Sequence, residues 1–402
     1  MILDRLQSTA PLDVFGKRVL LRADLNVPVE DGKVSDATRL ERLVPSLRDL
    51  AERGARVIVI SHFGRPRGER DGRFSLRPVA DKLAELLHQP LTFAEDCIGE
   101  PAERAVASLG PHQIAVLENL RFHKGEEKND RAFAERLAAL GDIFVNDAFS
   151  AAHRAHASTS AITRLLPSYA GPLLIEEIKA LRSVLENPAR PTAAVIGGAK
   201  VSSKIELLQN LAAKVDTLIV GGGMANTFLL AQGIEIGKSL AEPDFARTAR
   251  AILQAAKEHQ CEVLLPGDVV VASELVAGAP AQTLPARQTP PEAMILDIGA
   301  QTVANYVGAI EASKTLVWNG PLGAFEVEPF GAGTFAVARR TAELTQAGRL
   351  VSVAGGGDTV AALNAAGVSE AFSYVSTAGG AFLEWLEGRQ LPGIVALAEQ
   401  PL

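Results

Sequence analysis

Five arginines and a histidine, Arg22, Arg39, His62, Arg65, Arg121 and Arg154, gather in the first part of this 402-residue chain. Guanidinium groups suit phosphate and carboxylate, because their planar donors bind two oxygens at once and keep their charge. One such arginine by itself reads as a surface ion pair. Several at one edge repel each other unless an anion accompanies them. Later in the chain come three glycine-bearing motifs: GGAKVSSK (197–204), WNGPLGAFE (318–326) and GGGDT (355–359). Glycines let backbone N–H groups approach a phosphate closely. Two anion-binding surfaces of different chemistry follow, and neither half is complete for catalysis alone.

The cations lie where an open parallel sheet binds ligands, directly after strands. VIVIS61 leads into His62-Phe63-Gly64-Arg65, AVLE118 into Asn119-Leu120-Arg121, and FVN146 into Asp147-Ala148-Phe149 and then His153-Arg154. Each strand end is expected to deliver a cation. RADLNVP (22–28), read as extended, puts Arg22, Asp24 and Asn26 on one face. There Asp24 and Asn26 either take the hydroxyls of a polyol-like ligand or are plain strand-edge polarity. His153 and His156 lack a carboxylate or cysteine to complete a metal set, so they read as structural histidines or weak phosphate donors.

In the second half, AVI196 runs into Gly197-Gly198-Ala199-Lys200 and a helix with Val201, Ile205, Leu208 and Leu211 on its buried side. That pattern sets Lys200 and Lys204 one turn apart on one helical face, either beside a phosphate or simply solvated. Asp358 and Thr359 open the helix after GGG355–357, where Asp358 is a magnesium anchor or a plain N-cap. Two further motifs are weak. Gly233 to Ser239 is one residue short of a Walker A loop and reads as a turn. Gly331 to Ala336 matches a GxGxxA dinucleotide fingerprint, but no buried strand precedes it.

Positioning these groups requires βα repetition, and the sequence supplies it. Ala55–Ser61, Ile114–Leu117 and Asp142–Val145 read as buried strands, and 39–53 as a helix with Leu40, Leu43, Val44, Leu47 and Leu50 on one face. TAAVIGG, DTLIVGGG, CEVLLPGD, AMILDIG, KTLVWNG, RLVSVAGGG and FSYVST continue the rhythm. The fold class expected is α/β, two doubly wound, Rossmann-like parallel sheets joined by a hinge helix. The boundary falls at about residue 171, giving domains 1–170 and 171–388, the second opening on a helix at about 172–187 that ends at Asn187-Pro188. The apolar tail, about 389–402, is expected to pack back on the first domain.

With 47% hydrophobic residues and mean hydropathy +0.14, the chain is not disordered, and it shows no run long enough for a spanning helix. A formal charge of −7 argues against nucleic acid. It leaves small anions open, because the field of a cleft is set locally. Cys97 and Cys261, the only cysteines, are too few for a disulfide framework. The opening residues lack a basic segment followed by an apolar one, so the expected location is the cytoplasm, without membrane attachment.

Taken in order, RADLNVP, SHFGRP, LENLRF, DAFSAAHRAHAST, GGAKVSSK, GGGMANTF, WNGPLGAFE, GGGDT and STAGGAFLEWLEG resemble the phosphoglycerate kinase family over nearly the whole chain. The resemblance implies a monomeric glycolytic and gluconeogenic phosphotransferase. It would move a phosphoryl group from 1,3-bisphosphoglycerate to Mg-ADP, giving 3-phosphoglycerate and ATP. By matching position, Asp24, Leu25, Asn26, Arg39, His62, Phe63, Gly64, Arg65, Arg121 and Arg154 would hold the glycerate. Gly198, Ala199, Lys204, Gly222, Asn319, Pro321, Glu326, Gly356, Gly357, Asp358 and Thr359 would hold the nucleotide, with Asp358 on Mg2+. Arg39, Lys200 and Gly357 would be catalytic, Lys200 following the transferred phosphoryl and hinge closure expelling water. Phe63, Ser150 and Ala300 depart from the commoner leucine, glycine and proline of the family, which bears on loop rigidity and nucleotide fit. The rival readings are an NAD-dependent dehydrogenase, from Gly331–Ala336, and a non-catalytic nucleotide or anion sensor.

Overall fold

The computed structural model describes residues 2–399. The chain divides into two compact units, one comprising 1–178 with 390–402 and the other 179–389. The helix Pro172–Leu185 runs across the division. No helix among the described residues is long and apolar enough to cross a membrane.

In the first unit, β1 (Arg18–Arg22) is followed by a short antiparallel hairpin of β2 (Val29–Glu30) and β3 (Lys33–Val34). Then come β4 (Arg56–Ile60), β5 (Thr92–Ala94), β6 (Ile114–Leu117), β7 (Ile143–Asn146) and β8 (Ser168–Ala170). Six of these form a parallel sheet in the order β5-β6-β4-β1-β7-β8. A parallel sheet is covered on both faces, which is why RVIVI and IAVL read as unbroken apolar runs. The helix Thr38–Glu52 buries Leu40, Leu43, Val44, Leu47 and Leu50 against the sheet core of Val19, Leu21, Val57 and Val59. The chain leaves β1 toward β4 on one side and later returns to β7 on the other. The loops after β1, β4 and β7 therefore converge at the reversal of strand order, the place where such sheets bind ligands.

The second unit repeats the plan with β9 (Thr192–Ile196), β10 (Thr217–Val220), β11 (Glu262–Leu264), β15 (Thr315–Asn319), β16 (Val351–Gly355) and β17 (Tyr374–Ser376). Their parallel order is β11-β10-β9-β15-β16-β17, so here the reversal lies between β9 and β15. Trp318, fully buried, anchors the core with Leu316, Val337, Leu363 and Phe372.

One expected strand belongs elsewhere. AMILDIG does not join the parallel sheet: β14 (Met294–Ile298) pairs antiparallel with β12 (Asp268–Ala272), which also pairs with β13 (Gln282–Pro285). The cause is chain length: only Leu265-Pro266-Gly267 separates β11 from β12, and only residues 286–293 separate β13 from β14. A crossover to a parallel neighbour needs a dozen or more residues. This small sheet shares an apolar cluster of Val269, Val271 and Ala286 with Leu229 of the helix Gly222–Ala231.

The division at 178/179 lies inside the helix after Gly171, seven or more residues beyond the boundary read at 171. Within the first unit, the terminal helix Pro392–Ala398 buries Ile394 and Leu397. Gly393 donates its N–H to the Ala152 carbonyl, and a Cβ there would come within 3.0 Å of the Ala152 backbone.

Candidate active site

The first cluster grows from the three converging loops. β1 ends at Arg22, and the chain then turns: the Asn26 N–H donates to Asp24 Oδ1. RADLNVP is therefore not an extended run with Arg22, Asp24 and Asn26 on one face. Arg22 points inward at 1% exposure, donating to Ser158 Oγ, to the Ala23 carbonyl and to His62 Nδ1. Ser158 in turn donates to the fully buried Glu126, an acidic partner that KGEEKND gave no reason to suspect. Because an arginine only donates, His62 Nδ1 accepts and the ring proton sits on Nε2. Burial, then Arg22, hold the His62 pKa well below its ordinary value. His62 is thus neutral, and the cation delivered after β4 is Arg65.

Asp24 is the acidic centre of the cluster. Burial pushes its carboxyl up, but Arg39 and hydrogen bonds from Ser150 and Asn26 outweigh that and leave it below the usual range. Arg39 Nη1 spans Asp24 Oδ2 at 3.0 Å and the Asn26 carbonyl at 2.9 Å. Ser150 Oγ donates to the same Asp24 oxygen at 2.6 Å, so the departure from glycine at 150 adds a donor here. Asn26 Oδ1 accepts from the Gly64 N–H, and Arg121 Nη1 donates to the Gly64 carbonyl, which joins the loops after β1, β4 and β6. Asn119 was missed by sequence reasoning. Fully buried, it accepts from the Phe63 and Arg121 N–H groups and donates to the Phe63 and Phe74 carbonyls. Its signal was its place directly after a strand. Leu25 and Phe63 turn their side chains into the core.

Arg65 and Arg154 are exposed, and both lie near enough to Arg121 to add to burial in lowering its pKa. Positive charge is therefore concentrated around Gly64, and the exposed Glu127 lies 3.4 Å from Arg121 Nε. His156 is a buried structural histidine whose pKa falls to about 4, by burial first and then by Arg121.

In the second unit, the loops after β9 and β15 meet backbone to backbone. The Gly197 N–H donates to the Asn319 carbonyl, and the Gly198 N–H to that of Pro321. A Cβ on Gly197 would stand 1.9 Å from the Pro321 carbonyl oxygen, so only glycine allows this approach. Lys204 Nζ donates to the Gly197 carbonyl at 2.7 Å and reaches that of Asn319 at 3.3 Å. Its burial lowers the ammonium pKa to about 8, against a small opposing pull from Asp358.

The expected pairing of Lys200 and Lys204 on one helical face is not present. The helix starts at Ile205, itself only half-buried, and Lys204 occupies the N-cap with its side chain folded back. Lys200 lies exposed in the preceding turn, which Glu242 fastens by accepting from the Ser202 N–H and Oγ. Glycines at 197 and 198 favour this turn, where a helix continuing back to residue 200 would forfeit those contacts.

Around Gly355–Thr359, Asn319 Nδ2 donates to the Gly355 carbonyl, and Thr359 Oγ1 accepts from the Gly320 N–H. The next helix runs Gly357–Ala365 with Gly356 at its N-cap. Asp358 is therefore not the N-cap; it stands exposed in the first turn without a capping bond. A cavity of about 270 Å³ joins these parts. Gly198, Ala199, Gly222, Pro321, Glu326 and Asp358 all line it, together with Asn226, Leu240, Leu275, Met294, Leu296 and Asp297, which sequence reasoning did not single out. Leu240 and Leu275 are among the few large apolar side chains left exposed, a usual mark of a ligand wall. Asp297 accepts from the Ile298 and Gly333 N–H groups, yet burial lifts its pKa to about 7. That bond occupies the Gly333 amide a dinucleotide fingerprint would turn toward pyrophosphate, and Gly331–Ala336 simply opens the helix Ala332–Gln346.

The phosphoglycerate kinase family model matches residues 9–389. The chain is similar to phosphoglycerate kinase of Methylorubrum extorquens strain PA1, 61% identical over 98% of both chains. It is 58% identical to that of Bradyrhizobium diazoefficiens, over 96% of this chain and 97% of the relative. Among solved structures, phosphoglycerate kinase from Coxiella burnetii superposes with a TM-score of 0.90 at 44% identity. That from Pyrococcus horikoshii OT3 gives 0.84 at 31%, each covering 98% of both chains. Likeness of this depth along nearly the full length places the chain in the phosphoglycerate kinase family.

Proposed function

We propose that the arginine-rich cluster of the first unit binds 3-phosphoglycerate and 1,3-bisphosphoglycerate, and that the cavity of the second binds ADP and ATP with Mg2+. Family membership makes the chain a phosphotransferase acting on a carboxyl acceptor. The observation that carries the residue assignment is the separation of chemistries. Positive groups surround Gly64 after β4, while a glycine-bearing apolar cavity is lined by the loops that follow β9 and β15.

The acceptor carboxylate of 3-phosphoglycerate is ionised at neutral pH, so transfer needs no general base, and a neutral His62 is consistent with that. The chain has to align the reactants and neutralise charge on the moving phosphoryl. Asp24 and Asn26 hold Arg39 in place, and Arg39 faces the reacting carboxyl. Lys200, on an exposed turn, follows the phosphoryl, while the N-terminus of the helix Gly357–Ala365 offers backbone N–H groups to it. In-line transfer requires both ligands to meet in the reacting complex.

Asp358 fits a magnesium ion: a solvent-facing carboxylate without a capping bond, lining the nucleotide cavity, is the single hard oxygen donor that Mg2+ takes besides phosphate oxygens. When bound, the ion neutralises charge on the phosphates. The same reading makes the protein a cytoplasmic monomer. A coupled assay with 1,3-bisphosphoglycerate and ADP tests it, with ATP expected only when Mg2+ is present. Ligand binding without ATP formation would instead support the sensor reading.

A further inference from the structure

Behind the arginine-rich cluster lies a carboxylate that no ligand touches: Glu126 is 0% exposed. A buried carboxylate is costly unless it is paired and hydrogen-bonded. Both of its oxygens accept from Ser158, Oε2 from the N–H at 3.0 Å and Oε1 from Oγ at 2.6 Å. The same Ser158 hydroxyl accepts from Arg22 Nε at 3.0 Å. Each link has one direction only. Arginine can only donate, so the single hydroxyl proton of Ser158 goes to Glu126, and His62 Nδ1, 3.0 Å from Arg22 Nη2, has to accept. The charges agree with the bonds. Burial lowers the Arg22 pKa, and Glu126, ahead of Asp24, opposes that; burial raises the Glu126 pKa, and Arg22 and then Ser158 pull it back. A relay therefore runs from the buried anion through Ser158 and Arg22 to the half-buried imidazole, and leaves Nε2–H as that ring's one donor.

We propose that Glu126 and Ser158 are positioning residues for glycerate binding: through Arg22 they hold His62 as the Nε2–H tautomer, a neutral donor to a substrate oxygen. The inference rests on the arginine-rich cluster being the 3-phosphoglycerate site. The relay can be cut without releasing its loop, since the Ala157 N–H donates to the Glu126 carbonyl at 2.9 Å and the Ser158 N–H bond needs no hydroxyl. Ser158→Ala makes that cut. Glu126→Gln keeps the shape but turns an amide donor toward Ser158 Oγ, which strands the hydroxyl proton and removes the counter-charge of Arg22.

The test reads the His62 ring nitrogens by 15N NMR at neutral pH, its signals assigned by their loss in His62→Gln, alongside kinetics with 3-phosphoglycerate and ATP. Wild-type protein is expected to show a protonated Nε2 and a bare Nδ1. In both relay variants the ring should become a mixture of the two tautomers, and the KM for 3-phosphoglycerate should rise roughly 5- to 50-fold, the scale of one lost charged hydrogen bond. The KM for ATP should stay within about twofold. A loss of thermal stability with the tautomer and the KM for 3-phosphoglycerate unchanged would make the relay a packing device and overturn the proposal. Should both variants fail to fold, the wild-type spectrum decides, since a proton on Nδ1 overturns it too. If saturating 3-phosphoglycerate leaves the wild-type His62 signals unmoved, the ligand assignment itself falls, a result separate from the tautomer.

Discussion

Lys204 and Lys200 show how two residues of one type, four apart, take opposite roles. Lys204 is folded onto peptide carbonyls, and its burial lowers the pKa to about 8. Its charged form is the one that can neutralise a nucleotide phosphate, so kcat/KM for ADP should fall as pH rises through about 8. In Lys204→Gln that decline should vanish, and a decline persisting unchanged in the variant would assign the titration elsewhere. Lys200, exposed and outside any helix, is free to accompany the phosphoryl. Lys200→Ala is expected to lower kcat by about 10²- to 10³-fold with little change in the KM for ADP, the scale of one lost transition-state donor. Undiminished turnover would remove it from that role. Residue types and their positions after strands made both lysines, the arginines and Asp358 legible as candidates. Burial is a property of packing, so neither the neutrality of His62 nor the inward turn of Arg22 follows from their neighbours in sequence.

Among the elements, the parallel strands and the helix Thr38–Glu52 are legible because their apolar periods are strong. Assignment of Met294–Ile298 to a sheet is not, since periodicity names a strand and only connection length restricts its partners. The turn before Ile205 escapes a helical reading for a similar reason: Val201 and Leu208 keep helical spacing across residues that tertiary bonds hold in another shape. The terminal helix Pro392–Ala398 also works at this scale. Leu397 is buried beside a backbone that contacts Ala152, just ahead of His153 and Arg154. Leu397→Ala should cost about 2–5 kcal/mol in urea unfolding. It should raise the KM for 3-phosphoglycerate while sparing that for ADP. A variant as stable as the parent would show that this helix does not hold the loop.

For the whole molecule, the proposed assignment of the two ligands to different units means that protection on binding should segregate. In hydrogen exchange, 3-phosphoglycerate is expected to slow amides near Asn26, Gly64 and Arg121, and ADP those near Gly198, Gly222 and Gly357. Each ligand alone should leave the other set unchanged. ADP protection confined to the first set would refute the assignment. In the second unit, Lys204 bridges the two strands at which the order reverses. An ammonium seated on the Gly197 and Asn319 carbonyls acts as a strut between neighbouring strand ends. The mouth of the crevice thereby keeps its gauge without help from any guest, so a nucleotide arriving there forfeits little ordering entropy in shaping its own berth.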